Sequence, residues 1–182
     1  MRPLALVLIL LLGAAAPADA QNRPRPVTPA AFHGTWSGQG VASNEDSLYF
    51  GVTPRDIDVV IRAADGGGFT VQWTSVIRQG GDPKSPDVRR RTTTRTFVPG
   101  DRPGVFRAKE EGDPYRDGEL CWARLDGTAL TVYQMVVGAD GRYELQRYRR
   151  TLSGAGMQLD YTRLRDGERV RTVRGQLVKV AP

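Results

Sequence analysis

Arginine and tyrosine residues recur at even spacings in the second half of the chain, a pattern that could bind an anion. Arg147 follows Tyr143 at an even spacing, and Arg163 follows Tyr161 in the same way. Because residues two apart share a face of a β-strand, these guanidinium groups lie inside wherever their neighbours on that face point inward. A buried guanidinium needs a counter-charge, which favours an anionic ligand, water or an internal acid such as Asp160. Arg147, Tyr161 and Arg163 are therefore candidate ligand-binding residues.

The positions of these arginines remain open at this point, because strands that bend near a rim would turn the same side chains towards solvent. Three large aromatic residues leave a similar choice. Trp73, Trp122 and Tyr133 lie in alternating stretches, where they could line a ligand cavity or belong to an ordinary core. We include all three in the candidate cavity.

Histidine and cysteine each occur once, at His33 and Cys121. A Ser-His-Asp or Cys-His mechanism would have to use His33, and a zinc site with several histidines is excluded by count. We expect Cys121 to be a small buried residue. The acidic run over 110–119 lacks the spacing of a calcium loop and predicts a solvated loop. The sequence thus predicts no catalytic residue, no metal site and no cofactor, and leaves a carboxylate- or tyrosine-based enzyme as a further alternative.

The first twenty residues have the three parts of a secretory signal peptide. Arg2 supplies a positive charge, 4–12 is an aliphatic run too short to span a membrane, and Ala18-Asp19-Ala20 has the small-x-small pattern of a cleavage site. We predict cleavage after Ala20 and export to a bacterial periplasm or the medium. The single cysteine allows no internal disulfide there.

The formal net charge of +6 bears on the partners of an exported chain. Nucleic acid is not expected, because the aromatic residues do not interleave with the basic clusters as a stacking platform requires. Anionic envelope lipid or polysaccharide is a better match for exposed arginine. We expect a monomer without a transmembrane segment in the mature chain.

Short runs with a period of two dominate the chain after a proline-rich leader at 21–31. Ile57, Val59 and Ile61 illustrate the pattern, and Asp-Gly pairs such as Asp166-Gly167 separate several of the runs. Asp-Gly supplies the positive φ that two-residue hairpin turns require. We therefore predict one all-β domain over 32–182, an antiparallel up-and-down β-barrel of about eight to ten strands. A β-sandwich is the alternative.

The first predicted strand carries a family resemblance. Gly34-Thr35-Trp36 resembles the G-x-W opening of lipocalins and their calycin relatives. The resemblance implies that Trp36 plugs the closed end of the barrel and that a basic residue of the last strand, Arg171 or Arg174, packs across its ring. The same stretch is more distantly similar to nitrobindin-like barrels, which hold heme through a late histidine that this chain lacks.

The paired arginine and tyrosine residues are similar to those with which fatty-acid-binding barrels hold a carboxylate. Together these patterns predict an exported barrel that binds a small hydrophobic or amphipathic ligand, with an anionic end held by arginine. An envelope structural or interaction protein with a packed barrel interior is the alternative.

Overall fold

The computed structural model describes residues 27–45, 52–78, 88–116 and 118–182. The predicted signal peptide, with its cleavage site at Ala20, lies outside the described residues, as does the start of the leader. A short 3-10 helix, Pro29–Phe32, precedes the first strand. In the ranges given, no helix is long and apolar enough to cross a membrane.

Ten antiparallel strands form one closed barrel. The strands are β1 Gly34–Asn44, β2 Val52–Ala64, β3 Gly68–Arg78, β4 Val88–Pro99, β5 Val105–Ala108, β6 Leu120–Asp126, β7 Ala129–Val137, β8 Tyr143–Ser153, β9 Gly156–Arg165 and β10 Glu168–Ala181. Each strand pairs with its neighbours in the chain, and β1 pairs with β10. Every strand thus has a neighbour on both sides, which confirms the predicted barrel and excludes the sandwich.

Hairpin turns occur where the Asp-Gly pairs predicted them. Asp166 and Gly167, between β9 and β10, have φ angles of 49° and 85°. Two successive positive φ angles are the mark of the type I′ turn, whose twist matches that of the strands it joins. The up-and-down order of the barrel therefore follows from local sequence at this hairpin.

The apolar core fills the end of the barrel near the 3-10 helix. Ile57, Val59 and Ile61 of β2 are all buried there, as their period of two predicted. The ring of Phe69 stacks on that of Phe97, with centroids 5.1 Å apart, and lies edge-on to Phe106 at 5.0 Å. These contacts close one end of the interior.

Trp36 is buried at this closed end, where its indole Nε1 donates a 2.9 Å hydrogen bond to the carbonyl oxygen of Phe32. The cation against its ring is Lys179, which pairs with Trp36 in register and places Nζ 5.8 Å from the ring centroid. This corrects the assignment of Arg171 or Arg174. Arg171 is eight residues from Lys179, about 26 Å along a strand, and Arg174 is an odd number of residues away, on the outer face.

The first strand brings very little side-chain volume into the barrel beyond Trp36. Gly40 of β1 faces Gly175 of β10, and the side chain of Ile57 from β2 lies against both. A Cβ added to Gly40 or Gly175 would lie 2.7 Å or 3.0 Å from Cδ1 of Ile57. The side chain of Ile57 on β2 therefore reaches across β1 towards β10.

Candidate functional site

A cavity of about 430 Å³ occupies the half of the barrel away from Trp36. Its lining includes six arginines and two glutamates from five different strands and the segment before β6. They are Arg55, Arg91, Arg95, Arg150, Arg163, Arg171, Glu119 and Glu144. The lining thus carries a surplus of four positive charges, and how each charge is balanced determines what the cavity can bind.

Arg95 is balanced by Glu119. Its Nε and Nη2 donate to the same carboxylate oxygen, Oε1 of Glu119, at 3.1 Å and 2.9 Å. Gln134 donates to that oxygen as well, at 3.1 Å. Since Glu119 already accepts three hydrogen bonds on one oxygen, it is committed to this cluster.

Arg163 is balanced by Glu144, to which its Nη2 donates. Gln146 donates to the other oxygen of Glu144 at 2.8 Å. Burial by itself would raise the pKa of Glu144, but the hydrogen bonds from Arg163 and Gln146 outweigh it and leave the pKa below its usual range. Glu144 is therefore ionised at neutral pH.

Arg150 has no such partner. It is fully buried, and none of its three guanidinium nitrogens has a hydrogen-bond partner among the described residues. The guanidinium carbon lies 5.4 Å from the ring centroid of Trp73 and 5.7 Å from that of Tyr148. Burial lowers the pKa of Arg150 to about 10, so the side chain is a buried cation at neutral pH. This is an unusual and unfavourable state without an anion.

Arg55 and Arg171 add two further cationic groups near the mouth. The Nε atom of each is buried and has no hydrogen-bond partner in the described part of the chain. Burial, together with the charge of Arg171, lowers the pKa of Arg55. Because the two like charges act on each other, an anion between them would be favourable.

One wall of the cavity is aromatic. The ring of Tyr148 lies 4.9 Å from that of Trp73 and 4.7 Å from that of Tyr161, measured between centroids. Both tyrosine hydroxyls donate to Oε1 of Gln146, at 2.8 Å and 3.3 Å. Burial raises the pKa of both tyrosines, so both are neutral at physiological pH. The wall offers apolar ring surface beside fixed polar groups, as in an amphipathic binding site.

Three of the six residues predicted for the cavity line it, namely Trp73, Tyr161 and Arg163. The other three, Trp122, Tyr133 and Arg147, lie on the outer face, so the prediction that they line the cavity is wrong. The rings of Trp122 and Tyr133 stack at 4.8 Å on paired positions of β6 and β7. Arg147 pairs with Tyr133 in register, is exposed, and donates to Oγ1 of Thr162 at 3.3 Å.

The reason for the error at Arg147 is that the inner face of β8 is polar. Its inward residues run Glu144, Gln146, Tyr148 and Arg150, whereas Leu145 points out with Arg147. A rule that places apolar residues inside therefore assigns the wrong face to this strand. The same rule misses Arg150, which the sequence does not distinguish from the exposed Arg149 beside it.

Cys121 lies beside the cavity, with 5% of its surface exposed. Burial, followed by the charge of Glu119, raises the pKa of its thiol to about 12. A thiol with that pKa holds almost no thiolate at neutral pH and is a poor nucleophile. The prediction that Cys121 is buried is confirmed.

Comparison with known proteins identifies the fold. The chain resembles a protein of unknown function of the DUF3598 family from Nostoc punctiforme, with 17% identity and a TM-score of 0.58 over 88% of this chain. The match covers 53% of that protein, so the chain spans about half its length. A second structure, an S-type phycobiliprotein lyase from Guillardia theta, has 12% identity and a TM-score of 0.37, with 84% of this chain and 93% of that one covered.

No family model matches the chain, and no curated protein is significantly similar to it. The DUF3598 structure supports the ten-stranded antiparallel barrel, and no specific lipocalin family is confirmed.

Proposed function

We propose that the protein binds a small amphipathic anion in the barrel cavity, with Arg150 as the group that receives the negative charge. The observation that carries this proposal is the complete burial of an Arg150 guanidinium without a hydrogen-bond partner in the described residues. A carboxylate or phosphate can accept two parallel hydrogen bonds from a guanidinium and balance its charge. An anion would thus relieve the unfavourable burial of Arg150.

The remainder of the ligand would contact the aromatic wall formed by Trp73, Tyr148 and Tyr161. These rings, with Ile57 and Leu159, supply apolar surface inside a cavity that is otherwise polar. A volume of about 430 Å³ lies within the range of small-molecule pockets in proteins. Such a lining suits a ligand with an anionic end and a ring or short chain.

The alternative of an interaction protein with a packed interior predicts no cavity of this size, so the observed cavity favours ligand binding. Catalysis has less support. Tyr148 and Tyr161 both have raised pKa values, and both glutamates of the lining are held by arginines. None of these groups is poised to take a proton from a substrate at neutral pH.

Export remains part of the proposal. The signal-peptide pattern that ends at Ala20 supports it. Expression of the full chain in a bacterium should give a periplasmic protein. Its intact mass should equal that of a chain that begins at Gln21. An uncleaved chain in the cytoplasm would contradict export and leave the binding proposal unaffected.

Ligand binding is tested by native mass spectrometry and calorimetry with a panel of medium-chain and aromatic carboxylates and alkyl phosphates. We expect saturable binding of anions, no binding of the matching alcohols, and loss of binding in Arg150→Met. Arg147→Met is the matched control, because Arg147 is on the same strand but faces outward. Equal binding by wild type and Arg150→Met would overturn the proposal, as would the absence of any anion binding.

A further inference from the structure

We propose that the ligand of this cavity is a dianion, with one anionic group at Arg150 and a second at Arg55 and Arg171 nearer the mouth. This inference rests on the proposed anion binding and extends it to the ligand class. It assigns Arg55 of β2 and Arg171 of β10 to a second binding subsite.

The second subsite follows from the small residues of β1. Arg55 of β2 pairs with Gly40, and Arg171 lies on β10, on the other side of β1. Between them β1 presents Gly40 and Ala42, with Asn44 opposite Arg171, so no large side chain separates the two arginines. Both arginines line the cavity, and each has a buried Nε without a partner among the described residues.

The acids of the lining do not balance this pair. Glu119 accepts hydrogen bonds from Arg95 and Gln134, and Glu144 accepts them from Arg163 and Gln146. Among the described residues, the lining has no third carboxylate. Arg91 is exposed to solvent, and the more buried charges of Arg55, Arg150 and Arg171 therefore remain for groups that come from outside this lining.

A single monoanionic group would leave two of these three arginines without a counter-charge. In register, Gln146 of β8 pairs with Arg163 of β9, which pairs with Arg171 of β10. Arg171 is thus level with Gln146, four residues along β8 from Arg150. The inward residue between those two positions is Tyr148, so an aromatic ring separates Arg171 from Arg150 along the lining.

The wall between the subsites is aromatic and continuous. Tyr148 lies one inward position above Arg150, and Tyr161 pairs with Tyr148 in register. Tyr161 in turn pairs with Val173, the inward position next to Arg171. A ligand with an apolar linker between two anionic ends would place its linker along Tyr148, Tyr161 and Val173.

The test compares dicarboxylates and monocarboxylates of equal length by calorimetry, from succinate and butyrate to dodecanedioate and dodecanoate. We expect an intermediate dicarboxylate to bind at least about tenfold more tightly than its monocarboxylate, a difference of about 1.4 kcal/mol. Affinity should pass through a maximum with length, since both ends must reach their arginines. Alkyl monophosphates and terminal bisphosphates of the same lengths test the same preference for phosphate ends.

Variants locate the second end. The double variant Arg55→Met with Arg171→Met should abolish the preference for the dianion and retain binding of the monoanion, whereas Arg150→Met should weaken both. The matched control is Arg147→Met with Arg149→Met, two exposed arginines of β8. The length series needs only the wild-type protein, so it decides the matter even if the double variant does not fold.

The two proposals fail in different ways. If matched monoanions and dianions of every length bind equally, the dianion inference is overturned while anion binding stands. If neither class binds, the proposed function itself is wrong. A preference for the dianion that survives in the Arg55 and Arg171 double variant would overturn the assignment of the second subsite.

Discussion

The guanidinium of Arg150 on β8 lies 5.4 Å from the centre of the Trp73 ring on β3, on the other side of the barrel. The two strands are five apart in the closed sheet, so this contact crosses the interior. Apolar side chains such as Leu130 and Met157 are buried below it, and the arginine-rich cavity is above it. The Arg150 side chain therefore lies at the bottom of the cavity, between the arginine-rich lining and the apolar core.

The first prediction concerns the stability of the protein without ligand. Arg150→Met removes a buried cation that has no hydrogen-bond partner in the part of the chain that the structure describes, and it keeps an unbranched apolar side chain. We expect the free energy of unfolding to rise by about 1–3 kcal/mol, because the gain from removing the buried charge exceeds the loss of its contacts with Trp73 and Tyr148. Urea denaturation measures the change.

Arg149→Met is the control for that measurement, since Arg149 is exposed beside Arg150. Its free energy of unfolding should stay within about 0.5 kcal/mol of the wild-type value. A variant Arg150→Met that is clearly less stable than wild type would show that the buried arginine already has a stabilising partner.

The second prediction concerns the closed end. Trp36→Phe removes the indole donor and leaves the carbonyl oxygen of Phe32 without its 2.9 Å hydrogen bond. We expect a loss of about 2 kcal/mol in the free energy of unfolding, from the unsatisfied carbonyl and the smaller ring together. Trp122→Phe should have a much smaller effect, because Trp122 stacks on Tyr133 at the outer face. Equal losses for the two variants would contradict the assignment of Trp36 as the plug.

The fold was predictable because its determinants are local. A period of two along β2 and Asp-Gly pairs such as Asp166-Gly167 specify strands and hairpins without reference to the rest of the chain. A meander of ten hairpin-connected strands has two exposed edges unless it closes, and closure into a barrel pairs them. The G-x-W motif also placed Trp36 correctly, although its cation is Lys179.

The site was only partly predictable, because it depends on which face each strand presents. Trp73, Tyr161 and Arg163 were identified from the sequence, but Arg150 was not, since its contact with Trp73 joins residues distant in the chain. Arg147 was placed inside because an apolar neighbour was taken to mark the inner face. In a barrel with a polar cavity, polar side chains can point inward and apolar side chains outward. Only the register of the strands then shows which residues face the cavity.

The third prediction tests the close approach of β1 to β10. A Cβ on Gly38 would lie 2.0 Å from the carbonyl oxygen of Gln176, a backbone atom that no side-chain rotation can move. We expect Gly38→Ala to lower the free energy of unfolding by about 3 kcal/mol, because the strand pair must separate to relieve the clash. Gly154→Ala is the control, since nothing lies within 4 Å of its added Cβ. Equal thermal midpoints for the two variants would show that β1 and β10 are less tightly paired than described.

The fourth prediction is a dependence of stability on pH at the Glu144 and Arg163 pair. The folded protein holds the pKa of Glu144 below its usual range, so the unfolded chain takes up this proton at a higher pH than the folded one. The pair therefore stabilises the fold above about pH 4.3, the ordinary pKa of glutamate, and this contribution is lost as the pH falls through the lower folded value. Glu144→Gln should remove it.

We expect Glu144→Gln to be less stable than wild type by about 1–2 kcal/mol at pH 7, where the ion pair is intact and only partly exposed. The difference should shrink as the pH is lowered from 5 to 3, because wild type then loses the charge that the variant already lacks. Thermal midpoints of both proteins across this range measure the effect, with Glu110→Gln, an exposed loop residue, as the control. A difference between wild type and Glu144→Gln that stays constant with pH would mean that the carboxylate contributes through shape and not through charge.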